Sequence, residues 1–284
     1  MFVKNAGIWK TIQATWVKDA GTWKQALVTW IKTGGVWKEA LPNYNLTISA
    51  DTANYNIRNA VVAAGWAGLG PVNVVVTINS GVRVYSTSTA SPALRTGTPW
   101  PAGTRIRVVN NGFILGRGGN GGAGGGNTGT PQSGAVGQPG GPAFLAEFAV
   151  TMVNNGIIAG GGGGGSGGDG KTWTTTSQNG DITTTRYGGG GGGGGGRGGL
   201  SNSSGGNGGN GNTYDGASGG AGTVNGPGAG GGGGGEAQNG ASGGGWGANG
   251  GSTGNTGGAA GKYAQGNSLI TWEVLGTRYG GVTA

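Results

Sequence analysis

Few side chains in this sequence can do covalent or acid–base chemistry. There is no Cys and no His among its 284 residues. That removes thiolate nucleophiles, disulfides, imidazole acid–base devices and zinc sites of the usual kind. Nine carboxylates remain, and a pair of them could in principle serve a glycosidase. Those of the glycine-rich stretch, Glu147, Asp169, Asp181, Asp215 and Glu236, lie in separate segments, with no apolar cleft expected to raise a pKa. The cluster Gly116-Arg117-Gly118 lacks the strand-to-helix setting of a phosphate loop. The sequence therefore reads as a non-enzyme with no catalytic, metal or cofactor-binding residues, and no cofactor is expected.

Side chains suited to recognition are better represented. Aromatics stand alone among Gly, Ser and Thr, where no apolar core explains them, and amphipathic rings are efficient binding anchors. The richest insert runs from Lys171 and Trp173 to Arg186 and Tyr187, with a Thr run and Asp181 between. The receptor-binding candidates are Trp173, Thr175, Asp181, Arg186, Tyr187, Tyr214, Asp215 and Trp246, with Pro131-Gln132 as a weaker region. Pairing of Trp173–Thr176 with the Asp181-Ile-Thr-Thr-Thr stretch predicts a short hairpin.

These inserts need a frame, and the composition is unusual there. Of 78 Gly, 62 fall within residues 117–262. Such a stretch has too few side chains to offset the entropy of ordering its backbone with a conventional apolar core. Its tracts at 160–165, 188–196 and 230–235 are pure Gly and alternate with non-repeating inserts, unlike a mixed Gly/Ser linker. A polyglycine II helix has no internal hydrogen bonds, so such tracts must pair with one another through their backbones. The expected architecture is mostly β and irregular: a small β-rich (α+β) base, then a packed bundle of polyglycine II helices with variable tip loops.

The expected divisions are a Trp/Lys repeat attachment region at 1–41, a small α+β base at 42–116, the glycine-rich body at 117–262 and a closing strand at 263–284. Residues 3–10, 17–24 and 31–38 repeat with a period of 14 residues, each with a Gly-X-Trp-Lys end, and read as three hairpin-like units. Trp9, Trp16, Trp23, Trp30 and Trp37 are too many to bury in so short a piece. They are the attachment candidates, with core packing as the alternative.

In the base, Leu46–Ser49 reads as a strand. A helix is capped by Asp51 or Thr52, carries Ala53, Ile57, Val61 and Ala64 on one face and stops at Gly65. Val74–Ile78 is predicted to pair back with Val82–Tyr85 as a hairpin across Ser80-Gly81. Val109-Asn110-Asn111-Gly112-Phe113-Ile114-Leu115-Gly116 returns as Val153-Asn154-Asn155-Gly156-Ile157-Ile158-Ala159-Gly160. In both copies a strand turns at Asn-Asn-Gly and runs into glycine, so the tracts continue strands.

The formal charge of +8 resides in residues 1–116, while the glycine-rich stretch sums to zero. No block of consecutive basic residues appears, and no nucleic-acid partner is expected. The N-terminus lacks an apolar run of signal-peptide character, and nothing approaches transmembrane length.

The alternation of Gly tracts with variable inserts resembles the glycine-rich distal adhesins of tailed phages, the T-even-type proteins that cap long tail fibres. So do the strand-fed tracts and the ending Gly266-Asn267-Ser268-Leu269-Ile270-Thr271-Trp272 with Gly276-Thr277-Arg278-Tyr279-Gly280. The Gly-X-Trp-Lys repeat is similar to repeats common in phage tail proteins, but the attachment region of the T-even adhesins does not share it.

The resemblance implies a virion protein at the distal end of a tail fibre or at the tail tip. It would bind a host outer-membrane protein or surface glycan through loops between polyglycine II helices. It would dock on a phage tail-fibre or tail-tip protein, either as a monomer on a trimeric fibre or as a homotrimer. The alternatives are a purely structural tail-tip protein and an ice-binding polyglycine II protein.

Overall fold

The structure is a computed structural model that describes residues 2–5, 8–11, 16–25, 29–33, 36–177 and 183–284. The N-terminal repeat forms three separate antiparallel pairs: Phe2–Asn5 with Ile8–Thr11, Trp16–Asp19 with Thr22–Gln25, and Thr29–Thr33 with Val36–Ala40. In the second pair, Ala20 and Gly21 close the turn with φ of 45° and 84°. Positive φ at both central residues matches the right-handed twist of the strands it joins.

From residue 43 onward the chain winds as a parallel β-solenoid with three sheets. One sheet stacks Asn43–Ile48, Asn73–Ile78, Arg105–Asn110, Val150–Asn154 and Ile270–Val274 in that order. A second stacks Thr52–Ala53, Arg83–Tyr85, Phe113–Leu115, Ile157–Ala159 and Thr277–Tyr279. The third stacks Tyr55–Asn56, Leu94–Arg95, Phe144–Leu145 and Ala264–Gln265, with Val282 bridging Ala264. Each pass of the chain visits the sheets in turn.

Alternation builds the interior. Along Asn73–Ile78 every second residue is buried, and Val76 lies in register between Leu46 and Val108, which in turn pairs with Met152. Ile114, Phe144, Ile158 and Leu94 complete the core from the other two sheets.

The Asn-Asn-Gly repeat marks successive turns of this solenoid. The Asn110 amide donates to Asn154 Oδ1 at 2.8 Å, and the Asn154 amide donates to the carbonyls of Leu275 and Thr277. Both Asn side chains are fully buried, so these bonds satisfy polar groups that would otherwise carry a desolvation penalty. The turns approach so closely that a Cβ on Gly112 would lie 2.6 Å from the Asn79 carbonyl oxygen.

Several sequence-based expectations are corrected here. The described chain is mostly parallel β-sheet, with one α-helix at Ile57–Ala63 and a short 3-10 turn at Asn267–Leu269. Among the described residues no packed bundle of polyglycine II helices is observed, and an α+β base does not describe the solenoid. The three pure-Gly tracts carry no assigned helix. Without side chains they offer no pattern from which a helix could be told from other extended chain.

Val74–Ile78 and Val82–Tyr85 are not a hairpin. They lie in different sheets and pair in parallel with neighbouring passes, because alternation specifies a buried face and not a partner strand. The helix starts later than expected, capped by the Asn56 side chain. Asp51 is taken by the Arg83 amide at 2.7 Å, and Thr52–Ala53 joins the second sheet.

The glycine-rich body is made of two excursions from one corner of the solenoid. Residues 116–143 leave after Phe113–Leu115, and residues 160–263 leave after Ile157–Ala159. Both return as strands of the third sheet. In the second excursion, amides 161, 164 and 167 donate to the carbonyls of Gly141, Gln138 and Ala135. Amides 162, 165 and 168 donate to Arg197, Gly194 and Gly191, and 163 and 166 donate to Ala248 and Gly251. Each successive amide thus faces a different neighbour, and backbone pairing replaces a side-chain core.

Candidate functional site

Because both excursions start at the solenoid, their first turns lie at the body's far end. That end gathers the loop at 127–131, the hairpin Lys171–Thr176 with Thr183–Gly188, and the turns near 211–215, 235–238 and 252–256. Threonines favour the extended hairpin strands, and the register pairs Trp173 with Arg186 and Thr172 with Tyr187.

The hairpin is fastened at its root. Lys171 Nζ lies 3.1 Å from Glu236, and the Asn127 amide donates to Thr172 Oγ1 at 2.9 Å. The Tyr187 backbone N–H donates to Thr213 Oγ1, and its carbonyl accepts from the Thr213 and Tyr214 amides.

This framework brings Trp173 and Tyr214 together although 40 residues of sequence lie between them. Their rings stack with centroids 5.8 Å apart and planes 14° from parallel. Glycines make room: a Cβ on Gly235 would lie 2.6 Å from Trp173 Cζ2, and one on Gly188 would lie 3.0 Å from Cζ3. Tyr214 is 43% exposed. A stacked, half-exposed aromatic pair held by backbone suits recognition, since little side-chain entropy is left to lose on contact.

The remaining candidates are dispersed. Thr175 is exposed on the outer hairpin, its hydroxyl 3.5 Å from the Thr184 carbonyl. Arg186 and Tyr187 are half-buried near the hairpin root. The Asp215 carboxylate accepts from the Gly211 amide at 2.9 Å and shapes the adjoining turn. Asp181 lies outside the described residues. Pro131 and Gln132 are exposed in the far-end loop that follows Gly126.

Trp246 sits apart, at the solenoid side of the body. The Arg197 guanidinium lies 3.6 Å over its ring, its indole N–H donates to the Gly198 carbonyl, and Tyr279 of the last solenoid turn packs at 6.2 Å. Sequence reasoning did not single out Arg197. Trp9, Trp16, Trp23, Trp30 and Trp37 fall on the N-terminal hairpin strands, and their side chains lie outside what the structure describes.

The described carboxylates show no catalytic arrangement. Glu147 takes a two-pronged contact from Arg95, which raises the arginine's pKa through that hydrogen bond, and Glu147 also accepts from the Gly97 amide. Asp51 pairs with Arg83 and Glu273 with Arg107. Asp169 accepts from the Gly134 amide and from Asn255. Among the described residues no cluster of acidic side chains could hold a metal ion.

Sequence comparison matches residues 43–283 to the family described as phage tail fibre adhesin Gp38. Among solved structures, the gp37–gp38 adhesin tip complex of the bacteriophage S16 long tail fibre has a similar fold. The identity is 22% and the TM-score 0.53, with 84% of this chain and 82% of that chain covered. None of the curated proteins compared matches the chain.

Proposed function

The chain belongs to the Gp38 family of phage tail fibre adhesins, non-catalytic attachment proteins of the virion, and on that premise we propose that the far-end loops of its glycine body touch the host receptor. The observation that carries this reading is the stacked, half-exposed Trp173–Tyr214 pair, formed between the fastened hairpin and the turn near 211–215 at the end farthest from the solenoid. Loops on a rigid frame are the usual carriers of binding, and desolvated aromatics are the usual anchors. The receptor is a host surface component, an outer-membrane protein or a glycan.

The opposite end carries docking in this proposal. The S16 structure joins gp38 to gp37 at an adhesin tip. By that likeness, this chain sits at the distal end of a fibre on a gp37-like partner. The three equivalent N-terminal hairpins offer one copy to each subunit of a trimeric fibre. A homotrimer packing its repeats around its own axis is the competing arrangement.

Residue-resolved crosslinking of intact particles to host cells tests the receptor reading. Crosslinks from residues 171–187 and 211–215 to a cell-surface component are expected. Crosslinks confined to residues 1–41 would place recognition at the other end.

A further inference from the structure

A groove of about 620 Å³ lies beside the far-end loop of the glycine body, where residues 124–132 run beside 207–210. Its floor is the backbone of Gly124, Gly126, Gly208 and Gly209. Its walls carry Thr128, Gln132, Asn207 and Asn210, all exposed. We propose that this groove is a second binding site, beside the same end of the body but lined by other residues than the Trp173–Tyr214 pair, and that it takes a short stretch of neutral glycan.

Three features select that ligand class. First, no charged side chain among the described residues lines the groove, so nothing there offsets the desolvation of a phosphate, a carboxylate or an ammonium group. Second, the walls also lack an aromatic or aliphatic anchor of the kind that dominates protein–protein contacts. They offer instead three carboxamides and a hydroxyl. Each carboxamide both donates and accepts, which matches the vicinal hydroxyls of a sugar, each a donor and an acceptor in turn. Third, a Cβ on Gly126 would lie 3.3 Å from Gln132 Oε1 and 3.4 Å from the Asn210 carbonyl oxygen, so glycine at that position keeps the space between the walls open. The volume falls within the roughly 300–1,000 Å³ typical of small-molecule sites.

The backbone that carries the walls is also fixed before any ligand arrives. The Gly124 amide donates to the Asn207 carbonyl at 2.8 Å and the Asn127 amide to the Asn210 carbonyl at 2.7 Å. The Gln132 amide donates to the Gly126 carbonyl, and the Asn212 side chain donates to the Thr128 carbonyl at 2.9 Å. The three-residue repeat of the body places Asn207 and Asn210 on the same side of their segment. Both therefore line the groove, on backbone that has no freedom left to lose on binding.

The test uses the full chain on an array of neutral oligosaccharides (maltohexaose, dextran oligomers, lacto-N-tetraose) beside sialylated and phosphorylated counterparts, followed by titration calorimetry of the strongest binder. The expected result is binding of a neutral member that weakens at least tenfold in Asn207→Ala/Asn210→Ala and also in Asn207→Asp/Asn210→Asp. Trp173→Ala/Tyr214→Ala should leave it unchanged. Because the two sets of variants share no residue, failure of the Trp173–Tyr214 reading would leave this outcome intact. Preference for anionic glycans, binding to no neutral glycan, binding indifferent to both groove variants, or loss of binding to a purified outer-membrane protein instead would overturn the proposal.

Discussion

Gly192 lies in the middle of the tract 188–196, buried among neighbours on every side. Its amide donates to the Ala217 carbonyl at 2.9 Å, and its carbonyl accepts from the Gly231 amide at 2.7 Å. A Cβ added there would lie 2.6 Å from the Gly206 carbonyl carbon and 2.8 Å from the Asn207 oxygen. The Gly206 carbonyl oxygen is nearer still; these are backbone atoms and cannot rotate away, so segment 203–211 must retreat by more than about 1 Å to reach ordinary van der Waals distance. That retreat stretches the bonds from the Gly206 amide to the Gly193 carbonyl and from the Gly209 amide to the Gly190 carbonyl, now 2.7 and 2.8 Å.

Overpacking costs about 1–3 kcal/mol, and each weakened backbone bond adds roughly 0.5–1.5 kcal/mol. Gly192→Ala should therefore destabilise the body by about 3 kcal/mol or more, and Gly192→Val by more again. The matched control is Gly232→Ala, where an added Cβ meets nothing within 4 Å. Loss of unfolded-state freedom makes that change neutral or stabilising by up to about 1 kcal/mol. Calorimetry of the three variants should lower the melting temperature of Gly192→Ala by roughly 6–12 °C and leave Gly232→Ala at or above the parent. Equal melting of Gly192→Ala and Gly232→Ala would refute the backbone-paired packing of the tract.

Asn154→Ala strips the buried ladder of its link to Asn110 and to the last solenoid turn, and should cost about 2–3 kcal/mol in denaturant unfolding. The Tyr44 hydroxyl is buried with no hydrogen-bond partner among the described residues, so Tyr44→Phe should be neutral or stabilising by about 1 kcal/mol. Burial raises the pKa of Tyr44 and Tyr55 above 10.0, so the folded state holds protons that the unfolded chain releases. Stability should fall as the pH climbs beyond about 10, and less steeply in Tyr44→Phe, measured by denaturant midpoints along an alkaline series. Amides at 161–168 should exchange slowly with deuterium, and free exchange along that run would contradict their pairing.

The sequence was most informative where side chains repeat. The Asn-Asn-Gly copies, 44 residues apart, show strands feeding glycine, and the structure sets them in register on adjacent solenoid turns. Alternation in Asn73–Ile78 marks a buried face but leaves the partner open, and Val82–Tyr85, expected to pair back with it, lies in a different sheet. Two-residue strands such as Leu94–Arg95 and Phe144–Leu145 are too short to carry any period, which hid the third sheet.

At the candidate site, Trp173 and Tyr214 each stand out by composition. Their stacking depends on backbone pairing between glycine segments that bear no side-chain signal. The groove residues Asn207 and Asn210 had a readable cue, their spacing of three within Gly205-Gly206-Asn207-Gly208-Gly209-Asn210. That cue gains meaning only once the three-residue rotation of the backbone bonds is known.

The most direct test of the account is adsorption of phage carrying Trp173→Ala/Tyr214→Ala, compared with phage carrying Trp9→Ala/Trp23→Ala/Trp37→Ala. The first should assemble complete particles, retain the adhesin and fail to adsorb to host cells. The second should lose the adhesin from the particle, while the free mutant protein still binds cells. Normal adsorption by the first, together with loss of cell binding by the free protein of the second, would contradict the assignment of recognition to the far end.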